Sequence, residues 1–133
     1  MAVLRVLVVD DNPLVRTALA RFVEMHPHLT VVGEAHTGGE AVQQVQRLQP
    51  DLVLLDLGLP DLSGWEVARQ IKVQPAAPYV IVLTLEEAAP YQDVAVRVGV
   101  DACLAKAEVG THLLPLIAPL LAQDLDGSGG QAS

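Results

Sequence analysis

Aromatic residues are almost missing from this sequence: one Trp, one Phe and two Tyr stand among 133 residues. A core built from it must be aliphatic, drawn from the Val, Leu and Ala that dominate a 51% hydrophobic share. That composition suits a buried parallel sheet covered by helices. It excludes a disordered chain, which lacks apolar residues. Cysteine occurs once, at Cys103, so no internal disulfide is available. Positive charge is scarce, with 8 Lys and Arg against 16 Asp and Glu and a net charge of −8. An acidic surface repels phosphate backbones, which makes this chain a poor direct binder of nucleic acid. Long apolar runs are absent too. The longest, Leu113 to Ala122, carries two prolines and falls well short of the roughly 18 residues of a membrane span. No signal-peptide pattern is visible, because Ala2 to Val9 leads directly into an apolar strand pattern closed by two acids. A cytoplasmic location is the expectation.

What is present is an alternation. Short apolar runs predict strands at Val3–Val9, Thr30–Ala35, Leu52–Leu55, Tyr79–Leu83 and Ala102–Ala105. Helix patterns fill the intervals. Asn12 is placed to cap the first, with Pro13 at its first position, and Leu14, Val15, Ala18, Leu19, Phe22 and Val23 share a face. Thr37-Gly-Gly-Glu40 and Ser63-Gly-Trp-Glu66 are capping-box patterns opening the second and third helices. The second turns Ala41, Val42, Val45 and Leu48 inward, and the third carries Val67, Ala68 and Ile71. Pro90–Val98 is a fourth helix stopped by Gly99, and Thr111–Gln123 is a fifth. Pro115 and Pro119 fall inside the fifth, and an interior proline costs about 3 kcal/mol, so that helix is either kinked or begins later. Strands alternating with helices predict an α/β fold with a parallel sheet and helices on both faces. The expected division is one domain over residues 1–123 and a Gly/Ser-rich tail or linker stub over 124–133.

The strand ends carry the chemistry. The first strand closes on Asp10 and Asp11, the third on Asp56, the fourth on Thr84 and the fifth on Lys106. Ligands of open α/β sheets bind outside the carboxyl ends of the strands, so three carboxylates, a hydroxyl and an ammonium converge on one rim. Taken singly, each has an ordinary structural explanation, as a helix cap or a surface charge. Capping accounts for at most one of the adjacent pair Asp10 and Asp11. Two like charges about 4 Å apart repel by roughly 4 kcal/mol at an effective dielectric near 20, so the acid cluster calls for a cation. All-oxygen ligands favour Mg²⁺ or a similar hard ion. A carboxylate beside it can act as a nucleophile toward phosphorus, with Lys106 and the metal neutralising the transferring group.

The segments Val-Val-Asp10-Asp11-Asn, Leu-Leu-Asp56-Leu-Gly58-Leu-Pro60, Val-Leu-Thr84 and Leu-Ala-Lys106 together resemble the receiver domain of two-component response regulators, over about residues 3 to 122. The resemblance implies a flavodoxin-like fold with a five-stranded parallel sheet of order 2-1-3-4-5 and five helices. It implies Asp56 as phospho-acceptor, Asp11 as a direct Mg²⁺ ligand, Asp10 as a ligand mainly through water, and the Gly58 carbonyl as another. Thr84 would bond the phosphoryl group and shift inward, and Lys106 would pair with a phosphoryl oxygen. The implied phosphodonor is a histidine kinase or phosphotransfer protein, with small acyl phosphates as substitutes. Val31-Val-Gly-Glu-Ala35 is similar to regulators with a LuxR-type helix-turn-helix output. The expected partners therefore include a DNA-binding output domain missing from this chain and a second copy on phosphorylation, and the chain is read as either a fragment or a stand-alone receiver. No enzymatic activity is expected beyond its own phosphotransfer and dephosphorylation.

One position departs from the family pattern. Three residues before the lysine, where an aromatic usually switches rotamer with the threonine, stands Cys103. A thiol has no ring to move, so that coupling is in question while the phosphorylation chemistry is not. Two rival readings stay open. A metal-dependent phosphohydrolase would need a second acid two residues after the nucleophile, where Gly58 stands. A pseudo-receiver acting only as a binding module is favoured by Cys103 and opposed by the intact acids, Thr84 and Lys106. His26, His28, His36 and His112 show no ligand spacing and are assigned to surface or capping roles. Gly38-Gly39 belongs to no phosphate-loop pattern, Trp65 is expected to pack near the third helix, and Cys103 to be a buried core thiol.

Overall fold

A computed structural model describes residues 3–130, with side chains described through residue 122. Five strands and five α-helices alternate: β1 Leu4–Val9, α1 Pro13–Glu24, β2 Leu29–Ala35, α2 Gly38–Leu48, β3 Leu52–Asp56, α3 Gly64–Lys72, β4 Tyr79–Thr84, α4 Gln92–Val98, β5 Ala102–Ala105 and α5 Val109–Gly130. Single 3-10 turns precede α4 (Ala89–Tyr91) and α5 (Lys106–Glu108). All strand pairs are parallel, in the order β2-β1-β3-β4-β5. The chain leaves β1 toward β2 and returns past it to β3, so the strand order reverses between β1 and β3. That switch point opens a crevice at the carboxyl ends of these two strands.

The two faces of the sheet have separate aliphatic cores. Leu7, Val9, Val53, Leu55, Val80 and Val82 pack against α2 and α3 with Ala41, Val45, Val67, Ala68 and Ile71. Val6, Val8, Leu52, Leu54, Ile81 and Leu83 pack on the other side against α1 and α5 with Leu19, Val23, Leu113 and Ile117. Because β1, β3 and β4 are covered on both faces, their runs are continuously apolar rather than alternating.

The caps form largely as their residues dictate. Asn12 accepts from the Leu14 and Val15 amides. Thr37 and Ser63 accept from Glu40 and Glu66. The reciprocal halves of the two boxes go elsewhere: Glu40 accepts from the His36 amide, and Glu66 pairs with Arg69 and Gln70. Gly99 ends α4 at φ 90°, a left-handed turn that a side chain disfavours.

Three expectations need correction. Leu14, at 81% exposure, and Ala18 lie on the solvent side of α1. The buried side is carried by Leu19 and Val23, with Val15 and Phe22 flanking it. The fourth helix starts as a 3-10 turn, with Pro90 within it, and becomes α-helical at Gln92. The fifth begins earlier than expected, at Val109, and contains both prolines. Pro115 and Pro119 are four residues apart and both exposed. The carbonyls they leave without an amide partner lie on the water-facing side, where solvent can satisfy them. The boundary expected at residue 123 falls inside α5, and residues 131–133 of the expected tail lie outside those described. Among the described residues, no helix is long and apolar enough to cross a membrane.

Candidate functional site

Register brings the acids together. Val9 pairs with Leu55, so Asp10 and Asp56, one residue further along, end adjacent strands roughly 4.8 Å apart. On the other side of β3, Asp56 pairs with Leu83 and Thr84 pairs with Ala105. Thr84 and Lys106 therefore reach the same rim, one and two residues higher along their strands. Carboxylate oxygens of Asp10, Asp11 and Asp56 all lie within 4.8 Å of one another. They border a pocket of about 340 Å³ that Gly58, Thr84 and Lys106 also line.

Each acid has a different environment. Asp10 is fully buried. One of its oxygens accepts from the Asn12 amide at 2.9 Å, and the other faces the Lys106 ammonium at 2.8 Å. Asp10 thus holds the turn into α1, while Asn12 caps the helix itself. Arg16 braces this turn from outside: its Nη1 donates to the Asp10 carbonyl at 2.8 Å, and its Nε pairs with Glu34 at 3.2 Å. Asp11 is exposed and projects to the mouth of the pocket. Asp56 is buried at 5% exposure, with Lys106 Nζ 3.0 Å from its Oδ1.

The electrostatics oppose one another. Burial pushes the Asp56 carboxyl above its ordinary value and the Asp10 charge adds to this, while Lys106 and the Gly58 amide pull it back without cancelling the rise. For Lys106, burial works against the charge, but the bonds to Asp10 and Asp56 outweigh it and hold the ammonium firmly protonated. A single half-buried cation therefore stands against two buried carboxylates, with a third at the mouth. The donor set is all oxygen, and the Asp10 oxygens are already engaged. A hard divalent cation fits this site best from the open side, against Asp11 and Asp56.

Thr84 is 2% exposed and its hydroxyl donates to the Glu86 carbonyl, which ties it to the loop after β4. Gly58 lies in the loop after β3, and that loop is seated by Gly64. A Cβ on Gly64 would meet the Leu57 Cα at 2.6 Å and the Asp56 carbonyl at 2.7 Å. Cys103 is buried at 7% exposure, and burial pushes its thiol up. Trp65 packs at the margin of one core, 6.1 Å from the Tyr91 ring.

The sequence reading missed Asp61. Its carboxylate accepts from the Gly38 and Gly39 amides at 2.7 and 3.0 Å, capping α2 from the loop after β3. These two amides hold its pKa below the ordinary carboxylate range. The Gly38-Gly39 pair lets that loop approach closely, since a Cβ on Gly38 would lie 3.2 Å from the Asp61 oxygen and 2.6 Å from Val67. Arg16 was missed as well. Neither has a local sequence signal, because their partners are distant in the chain.

This fold and this rim are shared with known proteins. The response regulator receiver domain family matches residues 6–118, and the chain belongs to that family. It is 46% identical over 84 residues to protein-glutamate methylesterase/protein-glutamine glutaminase 4 of Myxococcus xanthus, covering 63% of this chain and 24% of that protein. It is 32% identical over 101 residues to the nitrate/nitrite response regulator protein NarL of Escherichia coli K12, covering 76% of this chain and 47% of NarL. A LuxR-family two-component response regulator from Aurantimonas superposes with a TM-score of 0.83 at 30% identity, over 91% of this chain and 86% of that one. The protein is a receiver domain of two-component signal transduction, and it spans less than half the length of these two sequence relatives.

Proposed function

We propose that this receiver takes a phosphoryl group on Asp56, with Mg²⁺ held by Asp11, Asp56 and the Gly58 carbonyl and, through water, by Asp10. The observation that carries this reading is the Lys106 ammonium, 2.8 Å from Asp10 and 3.0 Å from Asp56, beside an open cluster of three carboxylates. Asp56 is positioned as nucleophile. The carboxylate oxygen not paired with Lys106 attacks the donor phosphorus, an O–P bond forms, and the bond from phosphorus to the donor nitrogen or oxygen breaks. The electron pair leaves with the donor: a histidine nitrogen takes up a proton, and an acyl phosphate departs as its carboxylate. Lys106 pairs with an oxygen of the transferring group, and Thr84 releases the Glu86 carbonyl to donate to another. Bound Mg²⁺ supplies the remaining charge neutralisation. Return to the resting state requires water to attack phosphorus and expel the Asp56 carboxylate.

On this reading the donor is a histidine kinase or a phosphotransfer protein. The chain catalyses only its own phosphorylation and dephosphorylation. The output is a binding surface that changes with phosphorylation, and the similarity to NarL and to LuxR-family regulators supports a transcriptional output domain as its partner. The test is chemical mapping. After treatment with acetyl phosphate and Mg²⁺, borohydride reduction converts an aspartyl phosphate to homoserine. Homoserine at position 56 is the expected product. Homoserine at Asp10 or Asp11 would overturn the assignment.

A further inference from the structure

Gly58, whose carbonyl is assigned above as a metal ligand, has almost nothing packed on it. It lines the phosphorylation pocket but is exposed, and a Cβ built on it would meet nothing within 4 Å. Its carbonyl is therefore placed by the chain on either side. Upstream, Leu57 is fixed at both ends: its amide donates to the Leu83 carbonyl at 2.9 Å, and its carbonyl accepts from the Gly64 amide at 2.8 Å. Downstream, Pro60 restricts the backbone, and Asp61 makes the next tie. Each of its carboxylate oxygens takes one amide of the adjacent pair Gly38 and Gly39, at 2.7 and 3.0 Å. Two charge-assisted bonds to neighbouring donors fix direction as well as distance. The helix they hold has its own N-cap in Thr37, whose hydroxyl accepts from the Glu40 amide at 3.1 Å. Gly38 is packed so closely that a Cβ on it would lie 2.6 Å from Val67 and 3.1 Å from Leu62. The start of α2 is thus seated against the loop and α3, and it gives Asp61 a firm anchor.

We propose that Asp61 is a positioning residue for the metal: by tying the loop after β3 to the start of α2, it holds the Gly58 carbonyl in place for Mg²⁺ beside Asp11 and Asp56. This rests on the metal reading given above and adds to it a residue that lies outside the carboxylate cluster. Loss of the tie leaves Asp56, Thr84 and Lys106 where they are, because each is placed by the end of its own strand, β3, β4 or β5. The effect therefore falls on the concentration of Mg²⁺ required, not on the rate once Mg²⁺ is bound.

Isothermal titration calorimetry with Mg²⁺ on the unphosphorylated protein tests this, at about 0.15 M salt, where exposed charges beyond roughly 8 Å are screened. Asp61→Ala should weaken binding roughly tenfold, the low end for a residue that supports a ligand. Asp61 is exposed, so the change leaves the core untouched. Asp61→Asn has nearly the same shape and keeps one acceptor oxygen; its affinity should fall between Asp61→Ala and the parent, and it carries the test should Asp61→Ala fail to fold. Thr37→Ala removes the cap of the same helix and should bind Mg²⁺ as the parent does. Phosphorylation by acetyl phosphate should need about ten times more Mg²⁺ for half its maximal rate in Asp61→Ala, with the maximal rate unchanged. In EDTA, the Gly38 and Gly39 amides should exchange with solvent faster in Asp61→Ala than in the parent. Parent-like Mg²⁺ affinity in Asp61→Ala would overturn this proposal alone. An equal loss in Thr37→Ala would reduce Asp61 to a helix cap, and an equal loss in Asp61→Asn would assign the effect to charge; either overturns it. A parent that binds no Mg²⁺ would overturn the metal reading and this proposal with it.

Discussion

Replacing Lys106 by Met removes the one cation among the site's carboxylates while keeping an apolar stem of similar length. Asp10 is wholly buried and Asp56 nearly so, and their oxygens are held within 4.8 Å of each other. At that spacing the repulsion is about 3.5 kcal/mol for an effective dielectric near 20. Removing one partner of a buried charge network costs about 3–5 kcal/mol. The lower end applies here, because two neighbouring carboxylates can share a proton and so limit the penalty. A loss of about 3 kcal/mol lowers the melting temperature of a domain this size by roughly 10 °C. Circular dichroism melts at neutral pH in EDTA would measure it. Two further melts isolate the cause. Adding Asp10→Asn to Lys106→Met removes one of the repelling charges and should restore at least half the loss. Millimolar Mg²⁺ should narrow the gap between variant and parent, since a divalent cation replaces the missing charge. A variant that melts within about 3 °C of the parent in EDTA, or one that Mg²⁺ fails to rescue, would refute the charge balance described for this rim.

Three other outcomes follow from the same geometry. Mg²⁺ at a hundredfold excess over its dissociation constant should stabilise the parent by about 2.7 kcal/mol. Asp11→Ala should remove most of that shift while leaving the metal-free melt unchanged, because Asp11 is exposed. Gly64→Ala should cost about 1–3 kcal/mol by overpacking, since its Cβ would meet backbone atoms of Asp56 and Leu57; urea unfolding measures the cost, and a parent-like midpoint would contradict the seating described. Cys103 should alkylate with iodoacetamide far more slowly at pH 8.5 than in the urea-unfolded chain. Its pKa is raised by burial, so less thiolate is present, and the rate should reach half its plateau at a higher pH than in the unfolded chain, where a free cysteine is half ionised at about 8.5.

The strand ends were readable because a sheet buried on both faces needs uninterrupted apolar runs. The first polar residue after each run, Asp10, Asp56, Thr84 and Lys106, therefore marks the carboxyl edge. Caps were readable for a related reason: Asn12, Thr37 and Ser63 act within three residues of themselves. What was not readable depends on distance or on packing. Asp61 reaches α2 across 23 positions of sequence and Arg16 reaches Glu34 across 18, so no local pattern records either contact. Leu14 and Ala18 obey the same helical spacing as Leu19 and Val23, yet α1 presents them to water; periodicity identifies a stripe but not how much of it the sheet covers. The prolines of α5 argued against a helix beginning where it does, because an average penalty takes no account of which side of the helix the proline faces.

The central claim is that Asp56 is the nucleophile of this rim. Intact mass measured after incubation with acetyl phosphate, with Mg²⁺ and with EDTA in its place, tests it most directly. The parent should gain the mass of one phosphoryl group in Mg²⁺ and none in EDTA, and Asp56→Ala should gain none in either. A gain of the same size and rate in Asp56→Ala would contradict the account.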